Sequence, residues 1–177
     1  LREMGNPIPD VVFVSPYDRT KATYVNLLAG WPELQRAPVI MEERIREQEH
    51  GLQSLYNNWR VYFAFHPEQY DLYLKEGRYW YQHAQGENVP MVRGRVKDWC
   101  GTLIRDYNEK YVFAVLHHLS ILSTRATLER WTYKEFEHHD DHDKPVNGGI
   151  TTYEGDATQG KDGRLILTKY NQKFYDF

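Results

Sequence analysis

The chain predicts an α/β fold with a mostly parallel sheet, on three observations. Apolar strand-like runs alternate with amphipathic helical stretches along its 177 residues, the pattern of parallel strands joined by crossover helices. Two runs, Val11–Val14 and Tyr111–Leu116, are apolar without alternation, as strands buried on both faces are. The length suits one domain, 1–177, that buries about 70% of the surface its unfolded chain exposes.

The elements follow in order. After the Val11–Val14 strand, Ser15 is a good N-cap and Pro16 suits the first helical position, so a helix is expected from Ser15 to about Leu28. Ala22, Val25, Leu28 and Ala29 share one side of it, and Arg19 lies in its first turns. Free backbone N–H groups, the positive end of the helix dipole and a guanidinium fork make a plausible phosphate cradle there; taken locally, the preferred reading of Arg19 is a solvated side chain. Trp31-Pro32-Glu33-Leu34 ends the helix and Pro38–Met41 is a second strand. Residues 43–51 form a charged turn.

An insert at about 51–85 is dense in aromatic residues, among them Tyr56, Trp59, Tyr62, Phe63, Tyr70, Tyr73, Tyr79, Trp80 and Tyr81. Interleaved with Arg60, Lys75 and Arg78, such rings suit base stacking. The accompanying Glu68, Asp71 and Glu76 favour an aromatic lid or a packed helical pair instead. Gly86–Tyr107 is expected to be a helix with Val89, Val92, Val96, Trp99, Leu103 and Ile104 as its core stripe. The Tyr111–Leu116 strand ends at His117, the position where open α/β sheets bind ligands. In Glu137–Asp143, three imidazoles and four carboxylates within seven residues offer a metal site, with His138 and His142 one turn apart; a solvated polar loop is the preferred reading. Residues 150–153 and 164–170 read as a hairpin.

Composition narrows the function. With 22 basic and 25 acidic residues and a net charge of −3, no nucleic-acid footprint is expected. The single cysteine, Cys100, excludes an internal disulfide and fits a reducing, cytoplasmic setting. It reads as a small buried thiol rather than a nucleophile. No apolar run approaches the roughly 20 residues that span a bilayer, so no membrane partner is expected. Neither a metal nor a cofactor is called for, and homo-oligomerisation is left open.

Four blocks taken together resemble the histidine phosphatase superfamily, the phosphoglycerate mutase-like proteins, over nearly the whole chain. They are Ser15-Pro16-x-x-Arg19-Thr20-x-x-Thr23, Arg46-Glu47-x-x-x-Gly51, Gly86-Glu87-Asn88 before a helix holding Arg95, and the strand ending at His117. Trp131–Phe136 and Asn147–Thr151 look like the family's closing helix and its Asn-bearing loop. The resemblance implies a three-layer α/β/α sandwich and a phosphate-monoester hydrolase for a small phosphorylated metabolite, working through a phosphohistidine. It casts Arg19 and a protonated His117 as catalytic charge-neutralising groups on the phosphoryl oxygens, Glu47 as proton donor and Asn147 as a further phosphate contact; Arg95 is structural, and His118, outside the family's pattern, is a candidate second phosphate contact. Mutase chemistry is a variant of the same scheme, and a catalytically inactive phosphate-binding or scaffold protein is the alternative.

The family's opening Arg-His-Gly, which bears the nucleophile, is not among these residues. Leu1–Gly5 reads as the end of the family's first helix, so the expectation is a longer parent protein whose first strand and nucleophile lie upstream of Leu1. The pattern also departs at His118, where relatives have glycine, at Asn88 in place of serine, and at Gln82 and Ala84.

Overall fold

β1 (Val11–Val14) is the strand on which the architecture is built. Three β-branched residues and a phenylalanine favour extended backbone, and each side chain is at most 2% exposed. β1 pairs in parallel with β2 (Val39–Met41), Val12 opposite Val39, and on its other edge with β3 (Val112–Val115), Val11 opposite Val112. The order is β2-β1-β3. The computed structural model describes residues 7–161 and 163–174, and the Leu1–Gly5 helix end expected from the sequence lies outside them.

Alternation along β1 makes the layers. Val11 and Phe13 face α4 (Val89–Asp106) and pack on Val92, Val96, Trp99 and Cys100; Val12 and Val14 face α1 (Asp18–Gly30) and the segment after it, against Tyr24, Leu27, Trp31 and Leu34. Helices thus cover both faces of a parallel sheet. Phe13 meets Trp99 and Tyr107 edge-on, with centroids 5.7 and 5.4 Å apart, each worth about 0.5–1.5 kcal/mol beyond area burial. Cys100 lies in this layer, where burial pushes its thiol up to about 12.

Two expectations for α1 need correction. The helix starts at Asp18 and Tyr17 is its N-cap, with no side-chain cap bond. Ser15 does not cap it, because its N–H still bonds the Val115 carbonyl at 3.2 Å and so belongs to the sheet. The core-facing stripe is Thr20, which is buried, with Tyr24, Leu27 and Leu28 half-buried; Ala22, Val25 and Ala29 are exposed. The observed stripe buries larger side chains than one built on two alanines. In α4 the helix begins after Asn88, whose side chain accepts from the Met91 N–H, rather than at Gly86. Ile104 is 61% exposed and lies off the core stripe.

The insert folds as a helical pair, α2 (Trp59–Phe65) and α3 (Pro67–Glu76). Tyr62, Phe63 and Tyr81 bury against one another with Tyr56 and Tyr73 around them. Its neck is closed by Gly51, at φ +52°, where a Cβ would stand 2.1 Å from the Ala84 carbonyl oxygen. The Leu52 N–H donates to that same oxygen at 2.9 Å.

α5 (His118–Leu128) packs on α4, and α6 (Tyr133–His142) opens with a Thr132–Glu135 capping box. The acidic, histidine-rich stretch is therefore helix through His142 and not a loop. The capping box nucleates it and Phe136 anchors it in the α5 core. His139 stacks on Trp131, 3.9 Å between centroids, and Asp140 is buried. Among the described residues no group of three or more histidine, cysteine or acidic side chains is arranged to hold a metal. β4 (Ile150–Asp156) and β5 (Arg164–Gln172) form an antiparallel hairpin longer than expected. Arg125 anchors beside it, its guanidinium 3.8 Å from the Tyr170 ring centre. No helix among the described residues is long and apolar enough to cross a membrane.

Candidate active site

Parallel pairing sets the carboxyl ends of β1 and β3 side by side, Val14 opposite Val115. That register is why Ser15 and His117, 102 residues apart, come within 2.7 Å through Oγ and Nε2. Arg19, on the first turn of α1, donates from Nε to His117 Nδ1 at 3.0 Å. A ring accepting at Nδ1 carries its proton on Nε2 when neutral, so Nε2–H donates to Ser15. Burial first, then the charges of Arg19 and Arg95, push the His117 ring down to about 4. A ring this buried beside two guanidinium groups accepts from Arg19, which carries the charge.

Tyr17 frames the pair. Its ring lies edge-on to His117 at 5.1 Å and beneath the Arg19 guanidinium at 4.9 Å, while its hydroxyl donates to Glu49. Burial and then the Glu49 carboxylate raise the Tyr17 phenol to about 12. The terminal nitrogens of Arg19 take no part in the His117 bond.

The turn carrying Glu47 is held from below by Arg95. Its fork grips both oxygens of Glu87 at 2.9 Å, and it donates to the carbonyls of Arg44 (2.8 Å), Arg46 (2.7 Å) and Glu47 (3.0 Å). Arg46 adds a second cation on Glu87 at 3.1 Å. Burial works against the Glu87 charge, but the Arg95 bonds, the Glu49 N–H and both guanidinium charges outweigh it and hold the carboxyl below its usual range. From the α5 side, Ser120 Oγ donates to the carbonyls of Ile45 and Arg46, 2.9 Å each. Glu47 Oε1 then accepts from the N–H groups of Gln48 (3.0 Å) and Leu119 (3.3 Å), so the carboxylate caps the start of α5.

Of the residues singled out from the sequence, the structure brings Arg19 and His117 into direct contact and sets Glu47 on the helix that His117 precedes. His118 turns away from that pair, its Nε2 2.6 Å from Asp140 Oδ1. Asn147 lies on the exposed turn before β4. Sequence reasoning missed Ser15 as a partner of His117, Tyr17 as the wall of the site, and Asp140. The Ser15 and Tyr17 roles follow from strand register, which no local motif reports; a helical reading of 133–142 would have put Asp140 one turn from Phe136, on the buried face. An arginine fork with free nitrogens at a strand-to-helix edge, a neutral ring orienting it, and a carboxylate nearby make a site for a tetrahedral oxyanion with a proton-transfer group at hand.

Residues 2–161 match the family model of the histidine phosphatase superfamily (branch 1). Two phosphoglycerate mutase-like proteins of Arabidopsis thaliana, AT74H and AT74, are 28% and 27% identical over 71% and 88% of this chain. The chain spans about half the length of these curated relatives, 46% and 48%. Among solved structures, mycobacterial glucosyl-3-phosphoglycerate phosphatase with inorganic phosphate superposes at a TM-score of 0.68, with 21% identity over 96% of this chain and 80% of that one. The α-ribazole phosphatase of Shigella flexneri does so at 0.73, with 16% identity over 93% and 74%. At these identities the structural likeness establishes the fold.

Proposed function

This chain belongs to the histidine phosphatase superfamily (branch 1), and from that premise we propose that it is a phosphate-monoester hydrolase acting on a small phosphorylated metabolite. The observation that carries the reading is the Arg19–His117 contact at the carboxyl edge of the parallel sheet, 3.0 Å from Nε to Nδ1, beside the Glu47 turn. Arg19 receives the phosphoryl oxygens on its terminal nitrogens. His117 orients that fork, and a dianion brought against it opposes the burial and cationic repulsion that keep the ring neutral. Phosphoryl transfer is mostly positioning and charge stabilisation, and these are the groups for it.

The attacking imidazole, in this proposal, belongs to the Arg-His-Gly segment that the resemblance places before Leu1, and water hydrolyses the phosphohistidine that results. Glu47 Oε2 takes no part in either backbone bond and is the atom that hands a proton to the leaving oxygen. The names of the two phosphatases above agree with a small phosphorylated substrate. The test is hydrolysis of p-nitrophenyl phosphate by the full-length protein. Arg19→Ala and His117→Ala, in variants that a melt shows to be folded at the assay temperature, should each lower kcat/KM by about 100-fold or more, the size seen when a preorganised oxyanion contact is removed. Rates near wild type in both variants overturn the assignment. A wild-type protein that binds phosphate but turns over no ester establishes the inactive binding module instead.

A further inference from the structure

We infer that Tyr17 is a positioning residue of the phosphate clamp: one phenol takes the Arg19 guanidinium on its ring and the Glu49 carboxylate on its hydroxyl, so the two opposite charges do not pair and the fork stays open to a phosphoryl group. This rests on the phosphoryl site proposed above.

Tyr17 stands where local preference asks for another residue. It is the N-cap of α1, a position that favours serine, threonine, aspartate or asparagine because their short side chains accept from the first free N–H groups. Tyr17 makes no such bond. Its backbone carbonyl accepts from the N–H groups of Thr20 and Lys21, 3.1 Å each, and its side chain is used across the site. The ring lies edge-on to His117 at 5.1 Å, and Arg19 Cζ stands over it at 4.9 Å, a cation–π geometry. The hydroxyl donates to Glu49 Oε1. Burial and that carboxylate push the phenol up to about 12, so it keeps the proton it donates.

Glu49 is the group that needs holding. Its backbone is pinned on both sides to Glu87: the Glu49 N–H donates to Oε2 at 3.1 Å, and its carbonyl accepts from the Glu87 N–H at 2.8 Å. Glu87 is in turn gripped by Arg95. The carboxylate therefore cannot move off with its backbone, and its side chain is 45% exposed. Without the Tyr17 hydroxyl it has two guanidinium groups to choose from. One is Arg46, whose Nε is 3.7 Å from Oε1; the other is Arg19, the breadth of one phenol away. Two parallel bonds to a carboxylate are the strong pairing of a guanidinium, and an incoming phosphate would have to displace them. As folded, the Arg19 guanidinium meets an acceptor nitrogen, His117 Nδ1, and the Tyr17 ring, and neither cancels its charge.

Phosphate affinity tests this independently of turnover. Inorganic phosphate is titrated calorimetrically into the full-length wild type, Y17F and Y17F/E49A, with melts to confirm that each is folded at the titration temperature. Y17F keeps the ring and frees the carboxylate, so its Kd for phosphate should rise about fivefold, the scale of an exposed ion pair that the ligand displaces. Removing the carboxylate as well should bring the Kd back to within about twofold of wild type. A tyrosine that only packs the site gives the opposite result, because the second substitution then leaves the loss in place or deepens it. A Y17F affinity within about twofold of wild type, or a double variant no tighter than Y17F, overturns the proposal. The rescue seen in a protein that hydrolyses no ester leaves the role of Tyr17 standing and overturns the hydrolase reading. A wild type that binds no phosphate overturns both.

Discussion

Replacing Arg95 by Met tests the support under the site while retaining most of the apolar stem. The variant loses the two-point grip on Glu87 and the donors to the carbonyls of Arg44, Arg46 and Glu47. Arg95 and Glu87 are only 12% and 10% exposed along their side chains, so what remains is a buried carboxylate held by Arg46 at 3.1 Å and the Glu49 N–H at 3.1 Å. Breaking a buried pair from one side costs about 3–5 kcal/mol, and the surviving Arg46 contact places the expectation at the lower end, about 3 kcal/mol. For a domain of this size that is a fall in Tm of roughly 6–12 °C, read by urea and thermal melts at pH 7. The sign with pH is fixed: Glu87 has a lowered folded pKa, so its contribution is present above its unfolded value and is lost as pH falls through the folded one. The gap between wild type and R95M should therefore narrow below about pH 4. Adding E87Q to R95M should recover part of the loss, since a neutral amide is cheaper to leave buried than a carboxylate. A deficit under about 1 kcal/mol at pH 7, or one that stays constant into acid, refutes the reasoning.

Two more outcomes follow from the geometry. Gly51→Ala puts a methyl 2.1 Å from the Ala84 carbonyl oxygen at a positive φ; it should cost about 2 kcal/mol or more in a urea melt, and a change below about 0.5 kcal/mol would show that the neck of the insert is not closed as described. His117 is held near 4 in the fold but takes its proton near 6.5 when unfolded. Wild type should therefore lose stability as pH falls from 6.5 toward 4, and His117→Asn should show a shallower acid limb across that window; parallel limbs would mean the ring is not buried neutral.

The strands were legible because they are continuous apolar runs; β1 and β3 match the expected runs to within two residues. α4 was legible from a stripe whose members Val89, Val92, Val96 and Trp99 are all buried. Less of α1 was readable, because local capping preference at Ser15 competes with a strand bond that exists only in the folded sheet. α5 announces itself poorly: its buried face mixes Leu122 and Ala126 with Ser120, Ser123 and Arg125, and Ser120 finds its partners, the carbonyls of Ile45 and Arg46, only across the fold. In 137–143 the run of charged and imidazole side chains concealed a helix anchored by Phe136.

At the site, residue types were readable and charge states were not. The sequence offers an arginine and a histidine as two cations for one phosphoryl group. Burial makes the second a neutral acceptor, and this changes how the first works. Arg19 lies on an exposed stretch of α1, where a free arginine carries about 2 kcal/mol of rotamer freedom that a bound anion would have to remove. Here Nε is already tied to His117, His117 to Ser15, and the Ser15 N–H to the Val115 carbonyl within the sheet. Part of that ordering is completed when the chain folds, so a ligand meets a guanidinium fork whose direction the sheet has set. That chain of contacts, more than the count of positive charges, separates a phosphoryl clamp from the solvated arginine that the local sequence favours.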